Sequence, residues 1–590
     1  MSVKPLQGIA LPTGARQQDF SGAWLRRLRT AGYSAVAIQN DPFPAADDDP
    51  ANGRESADRL LFLYTLGARP SGARFRLYIR DCSRKAHKAG LRFLLDCWEP
   101  CVPTFLGKTF PDAWQGMEGG RRVASRLCLS HPAAAEWYWD NLRRVCETQP
   151  DIDGFIMGRE DNDARLCDET CPSCGGRSLA ERWVDYYRQF VAVLASLNRP
   201  REVILYDWWW KRGDHAPLLS KVPAIKRVVT RFENNLTRYD HPRLVQGESL
   251  FQDVTLCADK PIPDSGGILD IYRKLGREAY PMIAFTGSME AFFQPYVVAP
   301  RWYARKLKAL RREGCAGWMD YDCGGMDSGL TFDLLQAAHE EPMAPLESWV
   351  NTTLARRYGD VTARAAGPAM KALERAVELF PIDLFTTDAR LLQAAGYVLG
   401  FCIATPLRPS DAWQALPDTA YPAGRWMGDP HNYLAPRSHA ELLRVLPAMV
   451  ERQREGLSLL RAVPLPQKAR QRTYFKYDLD LATAYTLMLE SAWHFYAMAD
   501  LVQACRQAPA PRRRWLEALT ELTTLEIGTT RAYAALVRRH PEFFDNSTWD
   551  AYVCVRRIDP RLPSSSACWA RKIELLERLD WVRELKRCAK

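Results

Sequence analysis

The chain has 590 residues, 47% of them hydrophobic and 25% charged, with 19 Trp and a formal net charge of +10. That length holds two or more domains with ample cores, and that composition excludes a disordered or fibrous chain. The basic residues are spread along the sequence, with Arg512-Arg513-Arg514 the densest run, so no basic face marks a nucleic-acid partner.

Residues 1–19 contain no continuous apolar segment, so no secretory leader is expected. No apolar run reaches the length of a membrane span. The 16 Cys are scattered, which suits a reducing cytosol better than a disulfide framework, and the location reads as cytoplasmic.

Eight short apolar runs read as strands, at 7–11, 34–39, 92–97, 153–158, 202–207, 227–232, 282–286 and 316–320. Amphipathic helical stretches fall between most of them, as at 22–31, 132–148, 178–197 and 300–313. Eight strand–helix units predict an α/β fold, a (β/α)8 TIM barrel over residues 1–345. The first strand and the insertion at 247–264 are its least regular links. From about Glu347 the strand signals stop and a 3.6-residue period takes over, which predicts an all-α domain over 346–590. Residues 487–505 form one long helix candidate, and Trp515, Leu516, Leu519, Leu522 and Leu525 form the apolar stripe of another. The stretch 406–436, rich in Pro, Gly, Trp and Tyr, is the domain's one long irregular segment and a candidate homodimer surface.

In such a barrel the chemistry sits where the strands end. The second strand leads into Asp41 and the third into Trp98 and Glu99. The fourth leads into Arg159-Glu160-Asp161-Asn162-Asp163, and the fifth, through Tyr206 and Asp207, into Trp208-Trp209-Trp210. The sixth leads into Glu233 and Asn234, and the eighth carries Asp320 and Asp322. Acids, amides and indole rings are what a sugar pocket needs: acids protonate and activate, amides and acids bind hydroxyls, and flat rings stack on the apolar face of a pyranose. Trp208, Trp209 and Trp210 alternate sides, so one or two line the pocket and the rest pack.

The run after the fourth strand is the sharpest of these signals. Cleavage of a glycosidic bond needs a proton for the leaving oxygen and negative charge or a nucleophile near the anomeric carbon. Glu160, Asp161 and Asp163 supply carboxylates close enough to repel, so that one stays protonated, and Arg159 can hold another ionised. The same run also suits a solvated acidic turn; its place after the fourth strand favours the catalytic reading. No His pairs with a Ser or Cys nucleophile, no phosphate-cradling Gly-rich loop is present, and no cofactor is expected. Cys167, Cys171 and Cys174 have spacing that can bind zinc with a fourth ligand from elsewhere. They read as loop bracing, as free thiols or a structural metal, with Asp168 and Glu169 facing solvent.

The run DGFIMGREDND followed by CDETCPSC resembles the fourth strand of glycoside hydrolase family 20 and its relatives. The resemblance implies an exo-acting β-N-acetylhexosaminidase with a retaining, substrate-assisted mechanism and an oligosaccharide or glycoconjugate substrate. By position, Glu160 would orient the substrate's 2-acetamido group and Asp161 would be the general acid/base. Family 20 has Asp then Glu where this chain has Glu then Asp, whereas family 84 uses two Asp, so Asp163 stays open for either role. A barrel followed by a helical domain also resembles the family 67 α-glucuronidases, and ESWVNTTLARRYGDVTARAA at 347–366 looks like the start of the helical domain in several such families. That resemblance implies an inverting exo-glycosidase, with Glu99 or Glu233 opposite Asp161 and Arg159 or Lys211 meeting a uronate. A catalytically silent carbohydrate-binding barrel is the reading from another class.

Overall fold

The computed structural model describes residues 6–12, 20–38, 66–67, 73–97, 100, 102, 104–158, 166–207, 210, 212–231, 263–283, 285, 296–321, 329–379, 436–507, 513–543 and 565–588. Ten strands lie among them: β1 (Gln7–Leu11), β2 (Tyr33–Ile38), β3 (Arg92–Cys97), β4 (Gln115–Glu118), β5 (Arg121–Leu127), β6 (Gly154–Met157), β7 (Glu202–Tyr206), β8 (Arg227–Arg231), β9 (Glu278–Ile283) and β10 (Gly317–Tyr321). Eight of them close a parallel barrel in the order β1-β10-β9-β8-β7-β6-β3-β2, with β2 paired back to β1. β6 is therefore the fourth barrel strand, as expected. Runs such as Val36-Ala37-Ile38, Phe93-Leu94-Leu95 and Phe155-Ile156-Met157 are fully buried, because a barrel strand meets side chains inside and helices outside.

Two features depart from the expected pattern. The seventh barrel strand is Glu278–Ile283 rather than 282–286, and Pro281 lies inside it. β9 pairs with β8 from Glu278, but its ladder with β10 starts only at Met282, so Pro281 precedes that second ladder. The loop after β3 also carries an unexpected antiparallel hairpin, β4 with β5.

The carboxyl and amino ends of the barrel differ in character. At the amino ends, Arg92, Glu202, Arg227 and Glu278 each begin a strand and link in a chain of ion pairs, with Arg227 2.7 Å from both Glu202 and Glu278. All four are partly exposed, so the chain adds less stability than its geometry suggests and serves more to align the strands. Inside, Gly8 of β1 leaves room for Tyr33 of β2 and Trp318 of β10 to meet edge-to-face, their rings 5.4 Å apart, across the strand between them.

The chain divides into two compact units. One comprises Met1–Phe232, Pro261–Ile283 and Ala309–Asp327 and holds all eight barrel strands. The other comprises Glu233–Lys260, Ala284–Lys308 and Ser328–Lys590, and among its described residues the structure is helical. Within it the helices Leu346–Tyr358, Asp360–Glu378, Pro436–Arg461, Ala469–Gln507 and Arg513–Arg539 each pack on the next. Of the apolar stripe on the last of these, Trp515, Leu516, Leu519 and Leu522 join a core with Met498, Val502, Trp581 and Leu585, whereas Leu525 is 45% exposed. No helix among the described residues is long and apolar enough to cross a membrane.

Candidate active site at the carboxyl ends of the barrel strands

Side-chain direction around the barrel follows from contacts between non-adjacent strands. Tyr206 of β7 donates its hydroxyl to the Met282 sulfur of β9, 3.2 Å away, which reaches past β8 and requires both side chains to point inward. Tyr33 of β2 likewise donates to Asp320 of β10 at 2.6 Å, past β1, so the Asp320 carboxylate lies inside the barrel and is fully buried. On β3, Phe93 packs against Phe20, which precedes the outer helix Gly22–Thr30. Alternation then turns Leu94 and Asp96 inward. Asp96 is also fully buried, one residue from the end of its strand.

Asp207 faces the other way. The Thr230 and Tyr272 hydroxyls both donate to its Oδ2 at 2.5 Å, and Tyr272 belongs to the outer helix Pro263–Lys274. Tyr272 spends its one hydrogen on Asp207, so His215 Nδ1 donates to the Tyr272 oxygen at 2.6 Å. Through Oδ2 this carboxylate is held between sheet and helices, facing away from the barrel interior. Trp210 stands with it: 1% exposed, its ring packs against His215 and Tyr187 on the helix side.

β6 ends at Met157, and the Gly158 N–H donates to the Cys97 carbonyl at 3.0 Å, which ties the exit of the fourth strand to the end of the third. The described chain resumes at buried Leu166 and runs into the Cys segment. Arg159, Glu160, Asp161 and Asp163 fall between these points, outside the described residues, as do Asp41, Trp98, Glu99, Trp208, Trp209, Lys211, Glu233, Asn234, Asp322 and nearly all of the 406–436 segment. Of the residues singled out from sequence as site candidates, the structure describes Tyr206 and Asp320 inside the barrel, Asp207 and Trp210 outside it, and the three Cys with Asp168 and Glu169 between them.

Those Cys do not stand alone. Cys128, directly after β5, brings its sulfur together with those of Cys167, Cys171 and Cys174, all four within 4.8 Å of one another and all buried. Spacing within the Cys segment does not point to Cys128, which lies far upstream, just past a hairpin whose strands lack apolar alternation. Asp96 is equally unmarked, since it sits inside an apolar run, short of the residues beyond Cys97. Asp168 is only slightly buried, and it also braces the loop. Its side chain binds the Gly119 N–H at the hairpin turn and both the N–H and hydroxyl of Thr170. The small burial of Asp168 opposes ionisation, but these donors outweigh it and hold the carboxyl below its ordinary value. Glu169 is exposed as expected.

Beside the Cys group a cleft of about 370 Å³ is lined by Leu166, Cys167, Cys174, Arg177, Arg182 and Asp185, together with aromatic residues of the helices Pro132–Thr148 and Leu179–Ala195. It lies among outer elements, away from the inward-pointing Tyr206, Asp96 and Asp320.

No protein-family model matches the chain, and no curated protein matches it in sequence. Solved structures do resemble it. One is a GH138 enzyme targeting pectin rhamnogalacturonan II, with a TM-score of 0.52 at 10% identity over 94% of this chain and 67% of that one. Another is a mutant of the Thermobaculum terrenum O-GlcNAc hydrolase, with a TM-score of 0.42 at 10% identity over 95% of each chain. With the GH138 enzyme the chain shares its fold, a (β/α)8 barrel followed by helices.

Proposed function

We propose that the chain is a glycoside hydrolase, an exo-acting β-N-acetylhexosaminidase that works with retention through the substrate's own acetamido group. The observation that carries the reading is positional: β6 is the fourth strand of the closed barrel, and Arg159-Glu160-Asp161-Asn162-Asp163 begins two residues past its last residue, Met157. The carboxyl ends of the strands are where such barrels hold their chemistry. Inward-facing Asp96, Asp320 and Tyr206 support a polar barrel interior beneath that site. The GH138 enzyme of the same fold targets pectin rhamnogalacturonan II, which supports a substrate of the same broad class.

In this mechanism Glu160 orients the 2-acetamido group so that its carbonyl oxygen attacks the anomeric carbon. Asp161 gives its proton to the leaving glycosidic oxygen, then takes one from the water that opens the cyclised intermediate. Asp163 is the competitor for either role. We assign this chemistry to a barrel over residues 1–345 and a supporting helical part to 346–590.

Asp161→Asn is expected to lower release of an aryl N-acetylglucosaminide or N-acetylgalactosaminide about a thousandfold while circular dichroism stays unchanged. Wild-type turnover in that variant overturns the assignment of Asp161, and the same loss in Asp163→Asn alone moves the acid there. A thiazoline mimic of the cyclised intermediate is expected to inhibit. Indifference to it, with activity on a non-acetylated aryl glycoside, favours the inverting exo-glycosidase, and binding of sugars without release of any aglycone favours the silent barrel.

A further inference from the structure

We propose that Cys128, Cys167, Cys171 and Cys174 hold a structural zinc ion that pins the hairpin after β3 to the loop after β6. The four sulfurs lie within 4.8 Å of one another, and Cys128 Sγ is 3.6 Å from Cys171 Sγ. A tetrahedral Zn–S₄ centre with bonds of about 2.3 Å has sulfurs roughly 3.8 Å apart. Four thiol sulfurs in a closed tetrahedral group are the donor set that selects zinc, with no open position for a substrate or water.

Backbone hydrogen bonds set up that arrangement, and the ion locks it. The Cys128 N–H donates to the Trp114 carbonyl at 2.8 Å, and the Asp168 N–H donates to the Met117 carbonyl at 3.0 Å, so each loop is fastened to the hairpin next to its sulfur. The Gly175 N–H donates to the Cys171 carbonyl at 2.7 Å, turning the chain so that Cys171 and Cys174 face the same point. Only glycine fits that turn, since an added Cβ would stand 2.1 Å from the Glu169 carbonyl oxygen.

Charge around the four sulfurs points the same way. Arg182 is 7% exposed, and its guanidinium lies beside the Cys174 sulfur. Its Nη1 donates to the Asp168 carbonyl at 2.7 Å, its Nε has no hydrogen-bond partner, and no carboxylate pairs with it among the described residues. A buried cation next to four neutral thiols is uncompensated. Next to a zinc ion with four thiolates, a centre of net charge −2, it is neutralising, and it supplies a donor to a ligand sulfur as outer partners of metal sites do. Binding forms four Zn–S bonds and sends the four thiol protons to solvent. The cleft lined by Cys167 and Cys174 is the path by which the ion enters.

Metal analysis of the full chain, purified without chelator, is expected to find one zinc per chain. Titration with an organomercurial is expected to release it as the thiols react, with faster hydrogen exchange in Gln115–Glu118 and Arg121–Leu127. Cys128→Ser is expected to lose at least 90% of the zinc, while Cys315→Ser, at a lone buried thiol elsewhere, keeps it. A metal-free wild-type chain overturns the proposal, whether its four Cys are found reduced or joined in two disulfides. So does a zinc content that Cys128→Ser leaves unchanged.

Discussion

Gly8 shows how one missing side chain can set the inside of a barrel. An added Cβ there would stand 2.7 Å from ring carbons of both Trp318 and Tyr33. Neither ring can yield easily, because Tyr33 also holds Asp320 through its hydroxyl. Gly8→Ala is therefore expected to destabilise the barrel by about 1–3 kcal/mol, the usual cost of overpacking. Urea unfolding followed by Trp fluorescence checks this, and an unchanged midpoint would show that β1 shifts to make room. Tyr33 was silent in the sequence, whereas Asp320 was legible because it ends an apolar run beside aromatic residues. Asp96 has the same inward setting and was missed, since an acid inside RFLLDC looks like part of the strand until the alternation of sides is known.

The strands that could be read were those built around a short apolar run, and Arg92–Cys97, around Phe93-Leu94-Leu95, matches to the residue. β9 starts earlier than the apolar run at 282–286, because ladder pairing on only one side tolerates Pro281 within the strand. β4 and β5 were invisible because Gln115–Glu118 and Arg121–Leu127 lack apolar alternation, and with them went the fourth Cys. The long helix Ala469–Gln507 was seen only in its carboxyl half. Its amino half carries Asp478, fully buried, which accepts from Tyr358 at 2.7 Å, from Arg357 Nη2 at 3.0 Å and from Tyr296. Arg357 also reaches Asp333 at 3.2 Å and lies over the Tyr474 ring. Burial costs this pair its hydration, and the surrounding hydroxyls and second carboxylate offset the cost. Asp478→Ala leaves a buried guanidinium with Asp333, at 3.2 Å, as its remaining described counter-charge and is expected to cost about 3–5 kcal/mol, against a far smaller loss for an exposed pair such as Arg452–Glu455. Equal losses for the two pairs in chemical denaturation would remove the distinction.

The layout of a barrel followed by helices was legible because the period of the apolar pattern changes once, near Glu347, and periodicity reports which layer a segment packs into. What periodicity cannot report is long-range polar pairing, and that decides how the chain responds to acid. With 80 Lys and Arg against 70 Asp and Glu, acidification removes the only charge that restrains a strongly cationic chain. One buried centre makes this specific. Glu526 accepts from Ser491 at 2.5 Å, pairs with Lys572, and is 2.9 Å from His494 Nδ1. Its complete burial raises its pKa, but the Lys572 charge and the His494 contact outweigh that and pull it down to about 2 from an ordinary 4.5. A carboxyl depressed in the folded state contributes stability above its unfolded pKa and loses it as pH falls toward the folded value. The contribution here is roughly 3 kcal/mol, from about 1.4 kcal/mol per pKa unit. Wild-type stability is expected to fall between pH 5 and pH 2 more steeply than that of Glu526→Gln, which starts lower because it strands Lys572. The gap between the two should then close as the pH drops. Urea midpoints measured for both proteins across that window test the assignment, and a gap that stays constant would mean that folding does not depress the Glu526 carboxyl.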